Sequence, residues 1–117
     1  MYDPSPATNL PLLNTAAPLG RLDGDSTLLR TLRQMFADDL PGHRENLLAA
    51  LRESDLEQIA RLTHSLRSTS ASIGAIRLAE LARLVSSAAY SDDREQVRAL
   101  IPRLDEVIGA TLRLLPD

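Results

Sequence analysis

The 117-residue chain has no cysteine, no tryptophan and no lysine, and it contains a single phenylalanine. Without cysteine it can form neither disulfides nor thiolate sites, which fits a reducing compartment. Because aromatic residues make up only 3% of the chain, stacking surfaces for nucleic-acid bases are scarce. A hydrophobic core must therefore be built from Leu, Ile, Val and Ala, as is common in helical bundles.

Long hydrophobic runs and a strong excess of one charge are also missing. The formal net charge is −3, and the 13 cationic residues, all arginines, are spread along the chain. This distribution argues against nucleic acid as a partner. A hydrophobic content of 44% with 25% charged residues is typical of a soluble domain that does not insert into a membrane. The length suits one domain, which we expect to be a monomer.

The start of the chain, MYDPSPATNL, lacks the cationic segment and apolar run of a signal peptide. We therefore expect a cytoplasmic location, and the abundance of Arg, Ala and Leu without Lys suggests a bacterial source. Four prolines precede Gly20 and exclude one long helix there. Residues 1–9 are expected to form a flexible lead and residues 10–117 the domain. A short apolar helix within residues 10–19, ended by Gly20, would lie across one end of a bundle.

Apolar residues recur at spacings of three and four through the rest of the chain, which predicts amphipathic helices. Asp25 or Ser26 can cap the first, in which the apolar positions are Leu28, Leu29, Leu32, Met35, Phe36 and Leu40. Pro41 and Gly42 leave residues 25–53 as either two helices or one kinked helix. Asp55 can cap the next helix, which runs to Gly74.

A further helix follows Gly74, and the acidic turn at residues 91–93 can cap a last one, which Pro102 should bend or delay. Short polar connections between amphipathic helices favour antiparallel neighbours. The expected fold is therefore all-α, an antiparallel four-helix bundle with a short N-terminal lid helix.

His64 stands in the stretch THSLRSTSASIGA (residues 63–75), among small and hydroxylated side chains. At about 100° per residue, Ile59, Leu62 and Leu66 form one stripe of the helix, and His64 lies nearly opposite. The ring should therefore point outward. Its closest angular neighbours are Ala60, Arg67, Ser68 and Ala71. A neutral imidazole is a competent nucleophile near pH 7, and the adjacent guanidinium of Arg67 could stabilise a phosphoryl group placed on it. An outward histidine is more often a solvated residue without a task, so periodicity alone leaves both interpretations open.

The stretch from His64 to Gly74, HSLRSTSASIG, resembles the signature of histidine phosphotransfer domains. In that family the histidine is followed by a basic residue three positions on, a small residue next, and a glycine ten positions after the histidine. The resemblance extends over about residues 10–115 and implies a four-helix bundle of bacterial multistep phosphorelays. The match departs at Ser68, where the family usually has glycine.

The resemblance implies that His64 accepts a phosphoryl group through Nε2 from a receiver-domain aspartate and passes it to a response regulator. It implies that Arg67 is the basic residue of the motif and that Gly74 is the glycine that ends the helix. The domain would be a carrier and not an enzyme, with no cofactor of its own, because the receiver supplies Mg²⁺ and the catalytic groups. We expect Ala60, Arg61, Ser68 and Ala71 to contact the partner.

Several alternatives accompany this hypothesis. Because Ser68 departs from the motif, the chain could instead be a helical module that binds a receiver or sensor kinase without carrying phosphate. It could be a separate protein or the C-terminal part of a hybrid kinase tethered at the inner membrane. A hydrolase using His64 with Ser65 or Ser68 is disfavoured, since no acidic orienting residue or oxyanion-hole donors are evident. His43 is expected at the surface, and two histidines without a ligand motif predict no metal site. The acidic residues are expected as caps and solvated faces: Asp38, Asp39, Asp92 and Asp93.

Overall fold

The computed structural model describes residues 9–116, and these residues form helices joined by short turns, with no strand among them. The all-α prediction is confirmed. The helices are α1 (Ala16–Arg21), α2 (Ser26–Arg52), α3 (Leu56–Ser72), α4 (Ile76–Tyr90) and α5 (Arg94–Leu114).

Aspartates begin three of the four long helices. The side chains of Asp25, Asp55 and Asp93 each accept a hydrogen bond from the backbone N–H three residues on, at 3.0–3.1 Å. Each bond satisfies one of the donors that a helix N-terminus leaves without an intrahelical acceptor. The predicted caps of α2, α3 and α5 are therefore confirmed, with Asp25 and not Ser26 at the start of α2.

Internal prolines interrupt neither α2 nor α5. Residues 25–53 contain one helix, which continues through Pro41 and Gly42, and α5 likewise continues through Pro102. Both prolines are exposed, so water can reach the backbone carbonyl that each leaves without a donor. Leu40 and Leu47, on either side of Pro41, stay buried and keep the apolar stripe of α2 continuous.

The four long helices form a closed ring in which α2 packs on α3, α3 on α4, α4 on α5, and α5 on α2. The connections at residues 53–55, 73–75 and 91–93 are too short for anything but antiparallel neighbours, as predicted. Within residues 9–116, no helix has the length and hydrophobicity needed to cross a membrane. The largest fully buried apolar side chains are Leu40, Ile59, Leu78, Leu81, Leu100, Ile101, Leu104, Ile108, Val85 and Val97.

An ion pair joins the two helices that close the ring. Arg44 Nε on α2 donates to Asp105 Oδ1 on α5 at 2.5 Å, and this hydrogen bond raises the pKa of Arg44. Both side chains are about one-third exposed, so the pair contributes at most about 1 kcal/mol to the free energy of unfolding.

The apolar pattern of α2 differs from the expectation at three positions. Leu28 and Met35 are exposed, whereas Arg33 is only 2% exposed. Arg33 lies one turn from Leu29 and from Phe36, both buried, and therefore belongs to the buried stripe by its spacing. A charged residue replaces an apolar one at this position because its donors are needed where the N-terminal segment meets the end of α3.

The N-terminal helix is shorter and begins later than predicted. It spans Ala16–Arg21, so it includes Gly20 and does not end there. Asn14 Oδ1 accepts a hydrogen bond from the Ala17 N–H at 3.3 Å, and Pro18 occupies the first turn, where its missing N–H costs nothing. Of the predicted lead, residues 1–8 lie outside the described residues.

The segment before α2 is held against the turn between α3 and α4. The Asn14 N–H donates to the Gly74 carbonyl at 2.8 Å. Arg33 donates from Nε to the Ile73 carbonyl at 2.9 Å and from Nη2 to the Asn14 carbonyl at 3.1 Å. Arg21 Nη2 donates to the carbonyls at the end of α3, at 3.2 Å. The lid helix therefore lies at the C-terminal end of the helix that carries His64.

Candidate functional site

The helix that carries His64 is α3, and one side of it faces the core. Of the predicted stripe, Ile59 and Leu66 are buried and Leu62 is partly buried, and Thr63, Ser70 and Ile73 are buried on the same side. Thr63 keeps its hydroxyl satisfied inside the core by donating to the Ile59 carbonyl at 2.7 Å. The register of this stripe fixes which residues of α3 point to solvent.

His64 is exposed, as its angular position predicted. It stands near the middle of a 17-residue helix, so the backbone beneath the ring is rigid. Within residues 9–116 the imidazole forms no hydrogen bond or ion pair. Both ring nitrogens are therefore open to a visiting group.

Small or flexible side chains surround the ring on the solvent side. Ser68 and Ala71 follow His64 by one and two turns, and both are exposed. Arg67 is exposed as well, and within the described part of the chain its guanidinium forms no ion pair. A partner surface that approaches this side of α3 can therefore reach the imidazole past the small side chains of Ser68 and Ala71.

Arg61 is exposed but is engaged by its own helix. Its Nη2 donates to Gln58 Oε1 at 2.6 Å, and its Nη1 lies 3.9 Å from Glu57 Oε1. Arg61 and Arg67 both lie near His64 in sequence, yet only Arg61 has hydrogen-bond and ion-pair partners among the described residues of its own helix.

Ala60 was expected on the exposed surface beside His64, and this expectation is wrong. Its side chain is 2% exposed, because α4 covers this flank of α3. The Ser86 hydroxyl of α4 donates to the Ala60 carbonyl at 3.4 Å, and Ser86 is itself buried. The error arose because a helical wheel gives the angle of a residue but not which neighbouring helix closes that flank.

Because Ala60 is buried and Ala71 is exposed, the same substitution at these two positions should affect stability differently. Ala60→Leu is expected to destabilise the fold by about 1–3 kcal/mol, because the added carbons must enter the packed contact between α3 and α4. Ala71→Leu is expected to change the free energy of unfolding by less than about 0.5 kcal/mol, since Ala71 is exposed. Urea denaturation followed by circular dichroism measures both, and equal losses in the two variants would contradict the assigned flank.

Gly74 ends α3 with a backbone that only glycine can adopt in this setting. Its φ is +84°, and a Cβ added there would lie 2.0 Å from the Asn14 carbonyl oxygen. Ser54 and Asp92 take similar positive φ values after α2 and α4, so φ alone does not require glycine. Glycine is required because the N-terminal segment approaches position 74 so closely that a Cβ would collide with it.

Sequence reasoning missed the arginines that attach the N-terminal segment to α3. Arg33 could have been noticed, because a cation spaced among buried leucines indicates a buried hydrogen-bonding role. Arg21 carries no such signal, since its partners are backbone carbonyls 50 and 51 residues away.

The second histidine lies elsewhere on the bundle. His43 is exposed on α2, next to a groove of about 180 Å³ that Met35, Asp39 and Thr69 also line. Its surface position is as expected. Within residues 9–116, no group of three or more His, Asp or Glu side chains is placed to hold a metal ion.

Comparison with known proteins identifies the family. The family model of the Hpt domain matches residues 31–113, which include α3, α4 and all but the first residues of α2. No curated protein and no solved structure matches the chain significantly. Because the family match covers more than half of the chain and includes the exposed histidine, this chain belongs to the Hpt domain family.

Proposed function

We propose that His64 accepts a phosphoryl group from the aspartyl phosphate of a receiver domain and passes it to the aspartate of a response regulator. Hpt domains are phosphocarriers that interact with receiver domains in phosphorelays. The observation that carries the assignment to His64 is its exposure at the middle of α3, with small side chains on the solvent side.

The proposed transfer exchanges one P–O bond for one N–P bond and uses no cofactor on this chain. The lone pair of Nε2 attacks phosphorus, an N–P bond forms, and the P–O bond to the aspartyl carboxylate breaks. The carboxylate leaves with the bonding electrons, and Nδ1 keeps its proton, so the product is an imidazolium that carries a dianionic phosphoryl group. The reverse sequence on a second receiver returns the imidazole to its neutral form.

The chain supplies position and charge, and the partner supplies the rest of the chemistry. A rigid helix holds the nucleophile where a docked receiver can align it with the breaking P–O bond. Arg67, one turn on, supplies a cation for the phosphoryl oxygens. In this proposal Mg²⁺ and the catalytic acidic and lysine residues belong to the receiver, and the receiver contacts Arg61, Ser68 and Ala71. Ala60 is excluded from that surface by its burial.

A module that binds a receiver without carrying phosphate is the second candidate, because Ser68 places a hydroxymethyl group where the family motif usually has glycine. To separate the two, the chain is incubated with a panel of receiver domains loaded with ³²P through acetyl phosphate. A phosphocarrier takes up label in an acid-labile, base-stable form. A receiver that binds this chain tightly and keeps all its label would support the binding module and contradict the proposed transfer.

The docking surface is tested with Ala71→Leu and its matched control Ala99→Leu, which changes an exposed alanine of α5 across the bundle from α3. We expect the first to lower the transfer rate from a labelled receiver at least about tenfold, because misplacing the reacting atoms by about 1 Å already costs about 100-fold. The control should keep the rate near the wild-type value. Normal transfer in Ala71→Leu would place the docking surface elsewhere.

A further inference from the structure

The contact between α3 and α4 fixes which residues of α4 stand beside His64. Ala60 and Ser86 meet across it, so they lie at the same height along the two antiparallel helices. Because the helices are antiparallel, His64, four residues after Ala60, lies at the height of Ala82, four residues before Ser86. Counting from the other end, where Ser72 and Ile76 flank the turn, pairs His64 with Leu84. The two markers bracket Arg83.

Arg83 also lies on the correct side of α4. It precedes Ser86 by three residues, so the two share the face of α4 that looks toward α3. On α3, His64 and Arg67 follow Ala60 by four and seven residues, which places them on the flank that faces α4. His64, Arg67 and Arg83 therefore converge at the rim of the groove between these helices.

The guanidinium of Arg83 is held by a carboxylate on its own helix. Nε lies 3.0 and 3.1 Å from the two carboxylate oxygens of Glu80, and Nη2 also contacts Oε1. The side chain of Arg83 is 44% exposed, so an incoming group can reach its guanidinium from solvent. Helix axes in packed pairs are about 8–10 Å apart, a distance that a long arginine side chain spans toward a group carried on the neighbouring helix.

We propose that Arg83 is a second phosphoryl-binding residue for His64 and that Glu80 holds it while His64 is unmodified. This inference depends on the proposed phosphorylation of His64. A phosphoryl dianion on Nε2 offers a denser negative charge than the Glu80 carboxylate, and the guanidinium turns toward it. Arg67 binds from the same helix and Arg83 from the neighbouring one, so the phosphoryl group is enclosed from two sides.

The test uses phosphoramidate, a small phosphoryl donor, so that no receiver contact enters the result. Its P–N bond breaks, ammonia leaves, and the phosphoryl group passes to Nε2. The equilibrium constant of this exchange is measured by ³¹P NMR on the full chain at fixed ammonia concentration. We expect Arg83→Gln to lower the constant roughly two- to fivefold, the range for a partly exposed charge pair. Glu80→Gln should raise it by roughly two- to fivefold.

Three controls make the result specific. Arg83→Lys keeps the charge and should restore part of the constant. Arg103→Gln removes an exposed arginine from α5, which packs on the far side of α4, and should leave the constant unchanged. Salt at about 1 M should shrink the difference between wild type and Arg83→Gln, because it screens exposed charges.

Three outcomes would overturn the inference. Phosphate on His64 with the same constant in Arg83→Gln as in wild type would overturn it alone and leave the proposed function intact. Equal losses in Arg83→Gln and Arg103→Gln would also overturn it, since only the net charge would then matter. If wild-type His64 took up phosphate neither from phosphoramidate nor from a loaded receiver, the proposed function would be contradicted and this inference with it.

Discussion

Replacement of His64 by glutamine is expected to abolish phosphorylation of the chain, lowering ³²P uptake from a labelled receiver at least about 100-fold, to background. Glutamine has no nitrogen lone pair that can attack phosphorus, because its amide nitrogen is conjugated with the carbonyl. The fold should be unaffected. His64 is exposed and makes no hydrogen bond within residues 9–116, so the free energy of unfolding should stay within about 0.5 kcal/mol of wild type.

The chain offers a matched control for this substitution. It contains two histidines, and His43 is exposed on a different helix. His43→Gln should keep full phosphate uptake and the same stability. If His64→Gln were labelled as well as wild type, or if His43→Gln lost the label, the nucleophile would have been assigned to the wrong residue.

Gly74→Val is expected to cost about 4 kcal/mol or more of folding free energy, the largest effect on stability of any substitution considered. A φ of +84° costs an L-residue about 1–2 kcal/mol, and a β-branched residue more. The new Cβ would also lie 2.0 Å from the Asn14 carbonyl oxygen and 3.0 Å from both Arg33 Nη2 and Pro18 Cγ. Backbone must move, and each hydrogen bond lost at this junction costs about 1 kcal/mol.

Urea denaturation gives this free energy, and trypsin gives the location of the damage. We expect faster cleavage after Arg21 in Gly74→Val, because α1 loses its attachment to the end of α3. Gly42→Ala is the control: Gly42 lies inside α2 with open space around it, and alanine there should stabilise the helix by up to about 1 kcal/mol. A Gly74→Val protein as stable as wild type would contradict the close approach of the N-terminal segment to the end of α3.

Much of the fold follows from local sequence signals. The caps at Asp55 and Asp93 and the apolar spacing of α3 determine local structure within a few residues, and so the helices and the exposed face of His64 were predictable. Pro41 shows where local signals stop. A proline weakens a helix, but whether the helix continues depends on the buried leucines on each side, and this is a property of the packed bundle.

In the candidate site, too, some positions follow from local periodicity and others depend on how the helices pack. The angular positions of His64 and Ser68 could be calculated from periodicity, because solvent lies on that side of α3 in the folded bundle. Ala60 and Arg83 could not be placed, because their environments depend on which helix packs against which flank of α3. The register set by Ser86 against Ala60 is a long-range contact that no local pattern of the sequence encodes.

In the proposed phosphorelay, the phosphoryl group resides on one nitrogen of one histidine, Nε2 of His64. The most direct measurement is ³¹P–¹⁵N NMR of the chain, labelled with ¹⁵N-histidine and phosphorylated by a receiver domain. We expect one ³¹P signal coupled to Nε2 of His64 and no phosphorus coupling at His43. A coupling to His43, or phosphate retained without any coupling to a histidine nitrogen, would contradict phosphorylation of His64.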